Sequence, residues 1–276
     1  MSSPVSPLSP TPTPRPPGEF QELKIVSHST LFYWWPVWAL GFVLGLWSLV
    51  DGHHMVIVPK GTKVEVGRTV TGLDNTYDLL VVPQGKLQDT SEPHYHISAN
   101  KGNGVFFIII MLVVIVITNV PLRGLWSVVV LVTVVLLSII FGLAGWWESI
   151  LTALDRLHVY INAAGYLVFS SILLLAWLLV FLVFDSQIYM VFTPGQLRVH
   201  EEIGGGESAY DTAGMIIQKQ RNDLFRHWIL GLGSGDLLVT TSGATAHHFN
   251  LPNVLFVGHK VKLIEDMLRE KPVVQR

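Results

Sequence analysis

The chain has 276 residues, 50% of them hydrophobic and only 14% charged, with a formal net charge of −2. Its mean hydropathy is +0.48, and an average soluble chain is about 25% charged. This balance excludes a disordered chain, a nucleic-acid binder built on a basic surface and an ordinary soluble enzyme. With no cysteine, disulfides, thiolate metal sites and cysteine nucleophiles are excluded as well.

Residues 1–30 read as a disordered tail. Seven of the fifteen prolines fall in residues 1–18, among serine and threonine, and such a segment cannot bury a core. Pro4, Pro7 and Pro10 have the spacing of a proline-rich ligand, for which a solvated tail is the plainer account. No basic stretch followed by an apolar one opens the chain, so no cleavable signal peptide is expected.

Residues 31–184 read as a four-span membrane domain, with spans at about 31–50, 104–120, 125–147 and 163–184. A bilayer core of ~30 Å needs about 20 helical residues at 1.5 Å each, and each stretch meets that length without an acid, Lys or Arg inside it. A proton relay or ion pathway is therefore not indicated. Tyr33, Trp34, Trp35 and Trp38 begin the first span, and Trp146 and Trp147 end the third; they read as interfacial anchors or as helix packing. Pro121 to Gly124 leave only four residues between the second and third spans, which requires an antiparallel hairpin. An even number of spans puts both termini on one face. Lys24 and Arg123 on that face against Lys60, Lys101 and Arg156 on the other do not decide the orientation.

Residues 51–103 form a polar insert with short strands expected at Met55–Val58, Lys63–Val70 and Asp78–Val82. The insert holds His53, His54, His94 and His96. His94 and His96 share one face of a strand, and imidazole suits Zn²⁺ or Cu²⁺, so these four are the candidate metal ligands, with Glu92 as an oxygen donor. Residues 146–161 have helical apolar periodicity, either as an amphipathic interfacial helix or as an extension of the third span.

Residues 185–276 hold ten acids against nine Lys or Arg and read as a soluble domain. Strands are expected at Gln187–Phe192, Gln196–His200, Met215–Lys219, Asp236–Thr241 and Ala246–Phe249. Turn signals fall at Pro194-Gly195, Gly204 to Gly206, Ser234-Gly235 and Ser242-Gly243. Val257, Val261, Ile264 and Leu268 mark one face of a closing helix. The expected fold is a small β-barrel or sandwich closed by one helix.

Three strings of this domain, IYMVFTPGQLRV, MIIQKQRNDLFRHWILGLGSGDLLVTTSG and FNLPNVLFVGHKVKLIEDML, resemble in order the bacterial pleckstrin-homology-like domains (bacterial PH domains). The resemblance covers residues ~185–270, about a third of the chain. It implies a PH-like domain kept in the cytoplasm on membrane anchors, hence cytoplasmic N and C termini and an extracytoplasmic insert.

Lys219, Arg221, Arg226 and His227 are the densest basic group and the candidate headgroup ligands; with Asp223 among them and the domain near neutral, a surface salt-bridge face is the reading favoured over a headgroup site. Gly231, Gly233 and Gly235 precede a strand and not a helix, which makes them a turn and not a phosphate loop. Asp185, directly after the fourth span, reads as a charge at headgroup level. No catalytic set and no cofactor is indicated. The expectation is a multi-pass protein of the bacterial inner (plasma) membrane that acts as a scaffold, without nucleic acid, in contact with the lipid bilayer and with other membrane proteins or further copies of itself. The alternatives are a metal-dependent membrane protein or enzyme centred on the histidines, or a subunit of a larger membrane complex.

Overall fold

The computed structural model describes residues 22–70, 76–84, 93–120, 122, 124–200, 206–221, 223–242 and 246–269. The proline-rich segment 1–21, Glu92, Gly204, Gly205 and Gly243 lie outside the described residues. The chain divides into two units. One comprises Ser29–Val183 with Arg221–Gly233; the other comprises the chain up to His28, Phe184–Gln220 and Ser234 onwards.

The first unit carries the apolar helices: α1 (Trp35–Val50), α2 (Gly102–Asn119), α3 (Leu125–Leu143), α4 (Trp146–Asp155) and α5 (Ala163–Leu179). A 3₁₀ turn, Thr30–Trp34, leads into α1, and a loosely wound segment, Val180–Phe184, prolongs α5. Among the described residues four segments are long and apolar enough to cross a membrane: Thr30–Val50, Gly102–Asn119, Leu125–Leu143 and Ala163–Gln187. The β-branched runs of α2 and α3 have little helix propensity in water. A helix satisfies every backbone group within its own segment, which is what a hydrocarbon environment would require of such apolar runs. Pro36 enters α1 in the first turn, where no N–H is required. Asn162 caps α5 by accepting from the Gly165 N–H at 2.7 Å.

α1 and α5 pack at close range because small residues line the seam. A Cβ on Gly41 would collide with the Ser170 hydroxyl, and one on Gly45 would lie 2.8 Å from Leu167. This is the small-xxx-small approach of membrane helices. Phe107 of α2 meets Tyr166 and Phe169 edge-on, with centroids 5.3 and 5.8 Å apart. Tyr33 is fully buried, and Trp38 packs edge-on against Trp177 at 5.9 Å, so these two residues take part in helix packing. Trp146 and Trp147 are exposed. α3 buries only Ser127. Gly145, at φ +70°, breaks the chain between α3 and α4, so α4 is a separate helix and not an extension of the span.

In the insert, β2 (His53–Met55) pairs antiparallel with β5 (Tyr95–Ile97), and β3 (Lys63–Thr69) pairs with β4 (Thr76–Val81). The strand expected at Met55–Val58 therefore lies earlier, ending at Met55.

The second unit has two antiparallel sheets. The first contains β1 (Leu23–Val26), β6 (Tyr189–Thr193), β7 (Gln196–His200) and β8 (Ser208–Asp211), in the order β1-β6-β7-β8. The second contains β9 (Ile216–Gln220), β10 (Gly235–Thr240) and β11 (His248–Val254), in the order β11-β10-β9. Helix α6 (Val257–Arg269) lies against β6, β9 and β10. Ile25, Met190, Phe192, Leu197, Leu237, Val239, Val257 and Ile264 make the core. Val257, Val261 and Ile264 are buried as their spacing predicts, while Leu268 packs at the margin. The tail reading of residues 1–30 is corrected at 23–26: Ile25 is fully buried and pairs with Met190.

Candidate functional site

The candidate headgroup ligands do not form one patch of like side chains. Lys219 lies exposed on β9, opposite Leu237 of β10. Arg221, Arg226 and His227 belong to the segment between those strands, which groups with the apolar helices. Arg226 and His227 are 8% and 1% exposed, which corrects the expectation of a solvated salt-bridge face for this pair. Asp223 organises the segment. Its Oδ1 accepts from the Arg226 backbone N–H at 2.9 Å, at the start of the short helical segment Phe225–Leu230, and its Oδ2 lies 3.8 Å from the Arg226 Nε.

The same segment is tied down at three further points. The Trp35 indole N–H donates to the Leu230 carbonyl at 2.8 Å. The Arg221 guanidinium donates to the Gly233 carbonyl at 2.8 Å, and the Gly233 N–H donates to the His227 carbonyl at 2.9 Å. Arg221 also sits 5.6 Å from the Trp228 ring centroid, within cation–π range. Leu232 has φ +49°, a conformation that costs a non-glycine residue roughly 1–2 kcal/mol. Gly231 to Gly233 lead into β10 and not into a helix, so they serve as a turn.

Two of the four candidate metal ligands come together. His54 and His96 are cross-strand partners with ring centroids 4.4 Å apart. His53 pairs with Ile97 instead and bonds the Asp51 carbonyl at 2.9 Å, and His94 stacks on Tyr95. Among the described residues no group of three His, Cys, Asp or Glu could hold a metal ion. Asp51 closes this end of α1 by accepting from the Ala99 N–H at 2.6 Å. That N–H, then the Ser98 hydroxyl and the nearby His53, hold its carboxyl below the usual 3.8 against a small opposing effect of burial. A cavity of about 410 Å³ lies beside it, lined by Leu44, Trp47, Ser98, Asn100 and Asn103 among others. Its polar groups are largely engaged with one another: the Gly102 N–H donates to Asn100 and the Asn103 amide donates to Ser98.

A third polar cluster was not legible in the sequence. His28 Nδ1 lies 3.2 Å from Asp185 Oδ2, with both side chains nearly inaccessible. Asp185 is thus a buried partner of His28. The His28 carbonyl accepts from the Asn253 amide at 2.8 Å, and the Asn253 N–H donates to Asp236 Oδ1 at 3.0 Å. His28 and Asp185 are 157 residues apart, and no local pattern could couple them. Asp155, the last residue of α4, pairs with Lys101 at 2.6 Å.

No protein-family model matches the chain, and comparison with curated proteins and with solved structures likewise finds no match.

Proposed function

We propose that the chain is a non-catalytic scaffold of the bacterial plasma membrane, anchored by four spans, that presents a cytoplasmic PH-like domain to other membrane proteins. The observation that carries the reading is the pairing of β1 with β6. These strands flank the whole apolar region, so one folded body receives the chain before the first span and after the last. That supports an even number of crossings with both termini on one face. Two antiparallel sheets and a terminal helix in this body support the PH-like reading, which otherwise rests on the resemblance of residues 185–270.

The chain has no native cysteine, so single cysteines report topology without background. Ser3→Cys and Lys271→Cys should resist an impermeant thiol reagent in intact cells, and Thr76→Cys should react. Labelling at either terminus refutes the topology. Purification in mild detergent should give a complex heavier than one 30.7 kDa chain; a bare monomer refutes the scaffold. A second reading, metal dependence, has the His54–His96 pair in its favour. It requires Zn²⁺ or Cu²⁺ in the purified protein that is lost when both histidines become Ala.

A further inference from the structure

We propose that Trp228, Ile229 and Leu232 enter the headgroup–acyl boundary of the bilayer, giving the segment between β9 and β10 its own lipid contact. This rests on the reading that the four apolar segments cross a membrane.

The three side chains are 58%, 56% and 63% exposed, an unusual cost in water for a tryptophan, an isoleucine and a leucine set so close together. Their neighbours are not exposed: Arg226, His227 and Leu230 are buried. The segment therefore separates its apolar residues, burying some and presenting others. Its level is fixed by the bond from Trp35 to the Leu230 carbonyl, because Trp35 stands at the first turn of α1, near the end of the segment Thr30–Val50. An apolar group held at the end of a span lies where the acyl region gives way to headgroups, and a tryptophan there is in its preferred layer. The exposed trio thus continues the lipid-facing surface of the helices.

The chemistry of the rim agrees. Arg221 is half-buried and stacks over Trp228, which places a guanidinium beside an indole at phosphate level. Arginine pairs with phosphate oxygens through its planar fork. The segment is also built not to collapse. The bonds Arg221 to Gly233, Gly233 to His227 and Arg226 to Asp223 close its base. Leu232 is held at positive φ between two glycines, an arrangement that turns a leucine outward where a glycine would fit without strain. Lipid is the occupant that an outward apolar trio beside a cation, at the end of a span, matches best.

The test uses the full chain with one added cysteine, Trp228→Cys or, to keep the indole, Ile229→Cys. The cysteine carries an environment-sensitive fluorophore, and the protein is reconstituted into phosphatidylcholine–phosphatidylglycerol vesicles. The expected result is blue-shifted emission, loss of intensity with lipids nitroxide-labelled at shallow acyl positions, and no response to aqueous iodide. Water-like emission quenched by iodide overturns the proposal. So does blue-shifted emission indifferent to nitroxide lipid, which would mean that protein, including a second copy, covers the trio. Leu136→Cys on α3 separates the two readings. Lipid quenching at 136 without it at 228 and 229 refutes only the inserted segment; no lipid quenching at 136 refutes the membrane reading itself.

Discussion

Lys260 shows how one side chain ties packing to pH. It sits half-buried on α6, and burial lowers its pKa below 10.5. The unfolded chain then holds this proton more tightly than the folded one. Between the lowered value and 10.5 the unfolded state binds more protons, so stability rises with pH across that window. Below it, folding carries the whole cost of a buried ammonium. Lys260→Met keeps the apolar stem and removes the charge. It should raise the midpoint of thermal unfolding at pH 7, with the advantage shrinking as pH approaches 10.5. Asp51 has the opposite sign. Its lowered pKa contributes stability that is complete above 3.8 and disappears as pH falls through the lowered value. Relative to its intrinsic rate, the Ala99 amide should lose hydrogen-exchange protection in that acid range, and Asp51→Asn should remove this pH-dependent loss. Neither environment is visible in the sequence. Lys260 looks like any lysine on the polar side of a helix, and the Ala99 N–H that serves Asp51 comes from a strand end 48 residues away.

At the scale of elements, the seam between α1 and α5 and the buried stripe of α6 bear the most weight. Gly41→Val should separate α1 from α5 and lower thermal stability in detergent. Gly142→Ala on α3, where the nearest atom to the new Cβ is 3.8 Å away, should leave it unchanged. On α6, Ile264→Ala should cost about 2–5 kcal/mol, and exposed Glu265→Ala about 0.5 kcal/mol or less. Elements with strong periodicity or extreme composition were legible. The four long apolar helices and the Val257–Ile264 stripe fall where hydropathy puts them, and β7 has the bounds its sequence predicts. β8, reading Ser-Ala-Tyr-Asp, has no alternation to betray it. β1 is four residues beside a proline-rich stretch and becomes a strand only because β6 supplies its partners. The basic cluster was legible as a cluster but not as a buried one, because burial of Arg226 and His227 depends on contacts that their own neighbours do not specify.

At the scale of the whole molecule, the pairing of β1 with β6 is the feature most exposed to test. Lys24 and Val191 are register partners. Opposed antiparallel residues have Cα atoms about 4.5–5.5 Å apart, within reach of a disulfide. In the cysteine-free chain, Lys24→Cys with Val191→Cys should oxidise readily in membranes. If protease then cuts the insert between β3 and β4, the two fragments should migrate together without reductant and apart with it. Failure to form the bond would mean that the chain before the first span and the chain after the last do not share a sheet.

The same pairing sets an order for biogenesis. β1 is synthesised first but has no partner until all four apolar segments have been made and β6 follows. If the four apolar segments cross a bilayer as proposed, pairing β1 with β6 requires both strands on one side of it. A chain that skipped or added a crossing would leave β1 and β6 on opposite faces, with the edge of β6 open to foreign strands and Ile25 without a core. On that reading the sheet would work as a proofreading step. Only a correctly threaded chain completes it, and a misthreaded one displays an unpaired edge of the kind that quality-control proteases and chaperones recognise.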